Sequence, residues 1–173
     1  FREIVRRRAA GEGFDGIAGI AFNRAGQLVQ TEYSPLIDLD APPFPNRSLT
    51  AAHRQCYFGE WMRPLASIRT SKGCPFHCSF CALWKITGGR YFRREPARVV
   101  EELATIDEEF VFFADDESLV DVPRMKTLAR LIAEAGIHKR YFLYGRSDTI
   151  SRNPELLATW RDIGLERVFV GLE

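Results

Sequence analysis

The stretch Phe110-Val111-Phe112-Phe113-Ala114-Asp115-Asp116-Glu117 decides the predicted fold, because five consecutive apolar residues run directly into three acids. Continuous apolar character, without the alternation of a half-exposed strand, indicates a strand covered on both faces, as in a parallel sheet. Three further runs are predicted to be strands of the same sheet: residues 65–70, 140–144 and 167–171. We therefore expect an α/β fold with four parallel strands.

Helices are predicted in the intervals between these strands. Residues 96–107 carry their apolar side chains on one helical face. A second helix is expected to be capped by Asp121 and to stop at Gly136, and a third to be capped by Asn153 and to stop at Gly164. Repeated β/α units form either an open doubly wound sheet or a barrel, and in both the functional residues gather at the carboxyl ends of the strands.

The first 50 residues have a different pattern. Residues 16–22 and 27–31 are predicted to form a short hairpin around the turn at residues 23–26. Residues 34–48 contain four prolines and are predicted to be an extended connector between two domains.

Composition and charge exclude several classes of protein. The chain has 173 residues, of which 46% are apolar, so it can bury a core. Its formal net charge of +1 provides no overall positive field for nucleic acid or an acidic membrane. No apolar run approaches the roughly 20 residues that a membrane-spanning helix needs. The opening residues show no signal-peptide pattern, and we expect a cytoplasmic protein with reduced thiols.

Three of the four cysteines lie within eight residues, as Cys74, Cys78 and Cys81 in a C-x3-C-x2-C loop that follows the first predicted strand. Thiolates at this spacing can converge on one soft metal centre. A structural zinc ion would need a fourth ligand, for which His77 lies within the loop and Cys56 or His53 would have to reach back from earlier in the chain.

This loop, with Phe80 directly before the third cysteine, resembles the signature of the radical S-adenosylmethionine superfamily. The resemblance implies that Cys74, Cys78 and Cys81 hold a 4Fe-4S cluster and leave one iron open for the amino and carboxylate groups of S-adenosylmethionine. It also implies reductive cleavage of that molecule to methionine and a 5'-deoxyadenosyl radical, which abstracts hydrogen from a substrate.

The resemblance extends over residues 65–173, which look like the first four β/α units of the partial, TIM-like barrel of this superfamily. Four units are fewer than a full barrel of about 250 residues contains, so a fragment is expected. The resemblance implies that one or more of Asp115, Asp116 and Glu117 accept hydrogen bonds from the ammonium group of S-adenosylmethionine. Some of these acids are alternatively caps of the following helix.

Three more residues acquire expected roles from the resemblance. Arg146 is a candidate partner for the carboxylate of S-adenosylmethionine, with a salt bridge to Asp148 or Glu173 as the alternative. Glu173 corresponds to a polar position near the ribose or amino-acid end of the ligand, and Phe80 is expected beside the adenine. Trp84, shortly after the loop, is a candidate for the substrate mouth or for a structural return into the first helix.

The proline-rich connector, together with residues 81–85 and 112–117, is similar to the cobalamin-dependent branch of the superfamily, and in particular to the anaerobic magnesium-protoporphyrin monomethyl ester cyclase group. This similarity implies that residues 1–50 are the carboxyl-terminal remnant of a cobalamin-binding-type domain plus linker, and that residues 51–173 are the amino-terminal part of the barrel. Cobalamin is then a possible cofactor whose site lies outside this chain. A small-molecule substrate and a low-potential electron donor such as flavodoxin or ferredoxin are the implied partners.

A second class of function stays open from the residues alone. The cysteines would be structural in a non-catalytic iron-sulfur electron carrier or in a zinc-stabilised binding module. A fourth protein ligand on the metal would distinguish that class from the enzyme.

Overall fold

The computed structural model describes residues 1–32 and 38–171. Contacts within the chain define two compact units, Phe1–Ile37 and Asp38–Glu173. The predicted connector straddles this boundary, and its residues 34–37 lie outside the described part. The assignment of residues 1–50 to a remnant of a cobalamin-binding-type domain remains a prediction.

The first unit contains a helix and the predicted hairpin: α1 (Arg2–Ala9), β1 (Ala21–Arg24) and β2 (Gln27–Gln30). The two strands are antiparallel. Ala25 and Gly26 have positive φ in the turn, and Asn23 Oδ1 accepts a hydrogen bond from the Gly26 amide at 2.9 Å. The first strand is shorter than predicted because Gly16 and Gly19 also have positive φ, which breaks the extended backbone before it. Helix α1 was not predicted from the sequence.

The second unit has an α/β architecture. Its elements in chain order are a 3-10 helix (Arg47–Cys56), β3 (Leu65–Ile68), β4 (Ser71–Lys72), α2 (Leu83–Thr87), β5 (Phe92–Arg93), α3 (Pro96–Leu103), β6 (Phe110–Phe113), α4 (Val122–Glu134), β7 (Arg140–Arg146), α5 (Ser147–Arg152), α6 (Pro154–Asp162) and β8 (Leu165–Gly171). Strands β3, β6, β7 and β8 form one parallel sheet in that order. The four predicted parallel strands are confirmed, and β7 extends two residues further than predicted.

The predicted helices form with two differences at their ends. Asp121 caps α4 as predicted, accepting a hydrogen bond from the Arg124 amide at 3.1 Å. Asn153 is the N-cap residue of α6 as predicted, but its side chain makes no cap hydrogen bond and instead donates Nδ2 to the Thr149 carbonyl at 2.8 Å. Helix α3 ends at Leu103 rather than residue 107. Helices α4 and α6 stop at Gly136 and Gly164 as predicted, because each glycine directly follows the C-cap residue and has positive φ.

The core lies between the helices and one face of the sheet. Phe113, Tyr141 and Trp160 meet edge to face with ring centroids 5.5 to 5.7 Å apart, and the Trp160 indole donates to the Met125 carbonyl at 3.2 Å. The opposite face of the sheet is aromatic as well: Phe112, Phe142, Tyr144 and Phe169. Apolar side chains on both faces explain why the strand sequences show no alternation.

Arginine side chains cover the outer edge of β3. Arg47 donates to the Ser67 carbonyl at 2.9 Å, and Arg94 donates to the Arg69 carbonyl at 3.0 Å. Both guanidinium groups also pair with the buried carboxylate of Glu102, at 2.8 and 2.6 Å. Asp40 joins this network through Arg94 at 3.1 Å. Residues 38–48 of the predicted connector therefore belong to the second unit, and Arg47 protects the edge of β3.

Within residues 1–32 and 38–171, no helix combines the length and apolar character that a membrane span requires.

Candidate active site

A cleft of 520 Å³ opens at the carboxyl ends of β6, β7 and β8. Six of the residues predicted for the site line it: Cys78, Phe80, Asp115, Asp116, Glu117 and Arg146. This is the end of a parallel α/β sheet at which functional residues gather. Among the remaining candidates, Glu173 lies outside the described residues.

The cysteine loop leaves β3 through the short strand β4, which pairs with β5. Gly73 has φ +88°, and a Cβ at this position would overlap the Arg90 carbonyl oxygen. Only glycine permits this close approach of the loop to the returning chain. A glycine at position 73 is thus a backbone requirement for the path of the loop.

Two of the three predicted acids hold the start of this loop. Asp115 is buried and accepts hydrogen bonds from the Thr70 amide at 2.7 Å, the Thr70 hydroxyl at 2.6 Å and the Ser71 amide at 2.9 Å. Asp116 accepts one from the Gly73 amide at 2.6 Å. Burial raises the pKa of Asp115, while the hydrogen bonds from Thr70 and Ser71 act in the opposite direction. Asp115 therefore has both oxygens committed to the protein.

Glu117 is arranged differently from the other two acids. Its side chain is 3% exposed, and Oε1 accepts a hydrogen bond from the Arg146 amide at 3.2 Å. Its other oxygen, Oε2, is buried and has no hydrogen-bond partner within the described residues. Burial raises the pKa of Glu117, while the backbone amides of Arg146, Val120 and Leu119 near the carboxylate act in the opposite direction. A buried acceptor without a partner at a cleft wall is suited to a cationic donor from a ligand.

Arg146 forms one of the two salt bridges considered as alternatives to ligand binding. Its Nε donates to Asp148 Oδ1 at 2.9 Å. Its Nη1 also lies 3.5 Å from Cys78 Sγ, and its guanidinium carbon is 3.9 Å from the centroid of the Phe76 ring. The contact with Cys78 joins residues 68 positions apart and was not predicted from the sequence.

Cys74, Cys78 and Cys81 are partly buried free thiols. The Cys81 amide donates to the Cys78 carbonyl at 3.1 Å, which forms a turn between these two cysteines. Burial raises the pKa of Cys74, and the nearby Glu117 and Cys78 act in the same direction. Among the described residues, no set of three or more His, Cys, Asp and Glu side chains is gathered closely enough to hold a metal ion. The assignment of Cys74, Cys78 and Cys81 as metal ligands thus depends on their spacing in the sequence and on the position of the loop.

Trp84 is a structural support for the cysteine loop. Its indole Nε1 donates to the Cys78 carbonyl at 3.2 Å, and its ring lies 5.0 Å from the His77 ring. Trp84 is not among the residues that line the cleft. Of the two interpretations of this residue, the structure supports the structural one.

Aromatic side chains complete the cleft. Phe80 is 69% exposed at its wall. Tyr144 and Phe169 also line it, and they were not predicted as site residues. Their side chains pack against each other with ring centroids 5.3 Å apart on paired strands. Their place at the cleft could have been predicted from their spacing. Every second residue of a strand faces the same side, and Tyr144 and Phe169 lie two residues before Arg146 and Gly171.

Comparison with known proteins identifies the family. The profile of the Radical SAM superfamily matches residues 68–173, and the chain belongs to this superfamily.

The predicted cyclase similarity is confirmed. The chain is 27% identical over 164 residues to the anaerobic magnesium-protoporphyrin IX monomethyl ester cyclase of Cereibacter sphaeroides, covering 91% of this chain and 26% of that protein. It is 36% identical over 121 residues to the hopanoid C-3 methylase of Methylococcus capsulatus, covering 70% of this chain and 24% of that protein. Family membership and these relatives identify the protein as an enzyme, as the sequence predicted.

A solved structure confirms the fold. It is that of the cobalamin-dependent S-adenosylmethionine radical enzyme OxsB with aqua-cobalamin and S-adenosylmethionine bound. The TM-score is 0.78 at 16% sequence identity, over 99% of this chain and 26% of that chain. The chain thus spans about a quarter of the length of these relatives.

Proposed function

We propose that the intact protein uses Cys74, Cys78 and Cys81 to hold a 4Fe-4S cluster beside the cleft and binds S-adenosylmethionine within it. The observation that carries this proposal is the convergence of the cysteine loop, the acidic strand end and Arg146 on one cleft. The donor set fits the cluster, because Cys thiolates are its usual protein ligands and three of them leave one iron free. When bound, the cluster supplies the electron that cleaves S-adenosylmethionine to methionine and the 5'-deoxyadenosyl radical.

The residues around the cleft have different roles in binding. Asp115 and Asp116 hold the start of the cysteine loop through its backbone amides. Glu117 Oε2 is a buried acceptor suited to the ammonium group of S-adenosylmethionine, because it makes no hydrogen bond within the described residues. Asp116 also lines the cleft and offers Oδ1 as a second acceptor, since its bond to the Gly73 amide uses Oδ2. Phe80 presents an exposed ring at the wall of the cleft, which is suited to stacking on the adenine.

The reaction that we propose for the intact protein is methylation or cyclisation of a small molecule through hydrogen abstraction. The relatives support this, because one is named a methylase and the other a cyclase. Cobalamin is proposed as a further cofactor because the OxsB structure contains it. A low-potential donor such as flavodoxin or ferredoxin would supply electrons in the cytoplasm.

Cleavage of S-adenosylmethionine tests the proposal directly. We expect the intact, anaerobically reconstituted protein to produce 5'-deoxyadenosine and methionine when S-adenosylmethionine and dithionite are added, as measured by liquid chromatography and mass spectrometry. Omission of the reductant should abolish both products. An intact cluster that yields neither product under reducing conditions would instead support the electron-carrier function.

The substitution Glu117→Gln is expected to weaken binding of S-adenosylmethionine by about 10- to 100-fold, because a hydrogen bond to a charged group contributes about 1.5–3 kcal/mol. Glutamine retains an oxygen for the Arg146 amide but removes the negative charge at the cleft. Anaerobic isothermal titration calorimetry measures the Kd.

A matched control for this substitution is Glu134→Gln, which removes a carboxylate from an exposed ion pair with Arg130 at 2.6 Å, away from the cleft. Its Kd should equal that of the wild type. An unchanged Kd in Glu117→Gln, with the iron content also unchanged, would remove Glu117 from the binding site.

A further inference from the structure

Arg146 contacts the cysteine loop at two points. Its Nη1 donates to Cys78 Sγ across 3.5 Å, and its guanidinium lies over the Phe76 ring at 3.9 Å. Phe76 lies between the first two cysteines, so the cation is placed against the segment that the proposed function assigns to the cluster.

The surrounding residues hold this guanidinium in place. Asp148 accepts hydrogen bonds from Nε at 2.9 Å and from Nη2 at 3.3 Å. The Arg146 backbone amide donates to Glu117 Oε1 at 3.2 Å, which ties the end of β7 to the acidic strand end. The direction of the guanidinium toward Cys78 is therefore set by Asp148 and by the Phe76 ring, while the backbone bond to Glu117 fixes the strand end that carries Arg146.

A guanidinium in this position has a definite electrostatic effect. Arginine stays protonated in proteins and presents several donors in a plane. Hydrogen bonds to the sulfur ligands and nearby charge are among the factors that set the reduction potential of an iron-sulfur centre. Because reduction adds negative charge, a fixed cation at a ligand sulfur stabilises the reduced state.

We propose that Arg146 is a positioning residue that raises the reduction potential of the cluster by donating to Cys78 Sγ, and that Asp148 orients it for this contact. The inference rests on the proposed function, since it requires the cluster at Cys74, Cys78 and Cys81. It is distinct from a contact with the carboxylate of S-adenosylmethionine, because its effect exists before S-adenosylmethionine binds.

The test is a redox titration of the intact, reconstituted protein without S-adenosylmethionine, followed by electron paramagnetic resonance. We expect Arg146→Gln to lower the equilibrium constant for one-electron reduction about tenfold, which is a shift of about 59 mV to more negative potential. Arg146→Lys keeps the charge but loses the planar donors, and it should shift the potential in the same direction by a smaller amount.

Arg167→Gln is the matched control. Arg167 lies on the neighbouring strand β8 and pairs with Glu60 at 2.7 Å, and it does not line the cleft. Its variant should keep the wild-type potential.

The outcomes separate this inference from the function on which it depends. Wild-type protein that binds no iron would overturn both. Wild-type protein with a cluster, and Arg146→Gln with equal iron and an unchanged potential, would overturn the role of Arg146 alone. If Arg146→Gln does not retain iron, Arg146→Lys decides the question, and a potential equal to or above that of the wild type overturns the inference.

Discussion

Alanine in place of Cys78 is expected to reduce the iron content of the anaerobically reconstituted intact protein from about four atoms per chain to background. Cys78 lines the cleft, contacts Arg146 and shares a turn with Cys81, so no other thiol occupies an equivalent position. Iron and sulfide analyses, together with the visible absorption of the cluster, measure the loss.

Cys56→Ala provides the control for this experiment. Cys56 is an exposed thiol in the 3-10 helix and does not line the cleft. Its removal should leave the iron content unchanged. If Cys56→Ala also released the metal, or if the wild-type protein contained zinc and no iron, Cys56 would become a candidate fourth ligand and the zinc-stabilised module would be favoured.

Glu102→Ala is expected to lower the free energy of unfolding by about 3 kcal/mol, because it removes the carboxylate from Arg47 in a buried ion pair, whereas Arg94 keeps Asp40. Glu102 is 3% exposed and neutralises both Arg47 and Arg94. Urea unfolding of the intact protein, followed by tryptophan fluorescence, measures the change.

The adjacent residue supplies the comparison for Glu102. Glu101 pairs with Arg98 on the same helix, but its side chain is 55% exposed. Glu101→Ala should therefore change the free energy of unfolding by less than about 1 kcal/mol. Equal losses in the two variants would show that the buried network contributes no more than a surface ion pair.

The parts of the fold that the sequence predicted are those with strong local signals. The apolar run at residues 110–114 produces β6 because both faces of that strand are covered. Asp121 caps α4 because its oxygen needs to reach an amide only three residues away. Asn153 also has a side-chain oxygen that could cap a helix, and a proline follows it. Its side-chain Nδ2 instead donates to the Thr149 carbonyl, because α5 immediately precedes it.

The composition of the cleft was more predictable than the roles of its residues. The strand-end rule placed Asp115, Asp116 and Glu117 together, but it could not show which of them hold the cysteine loop. That depends on the backbone amides of Thr70 and Gly73, more than 40 positions earlier, which bind two of the acids. Pairings over such distances in sequence arise from the fold and leave no local pattern.

The arginine contacts at Ser67 and Arg69 determine on which side a further strand can join the sheet. Guanidinium groups occupy carbonyl oxygens that an incoming neighbour of β3 would need, whereas β8 is the terminal strand on the other side of the described sheet. Any additional strand would therefore be accepted beside β8. Such an addition would extend the wall of the cleft beyond β8, where further side chains could close over a bound molecule.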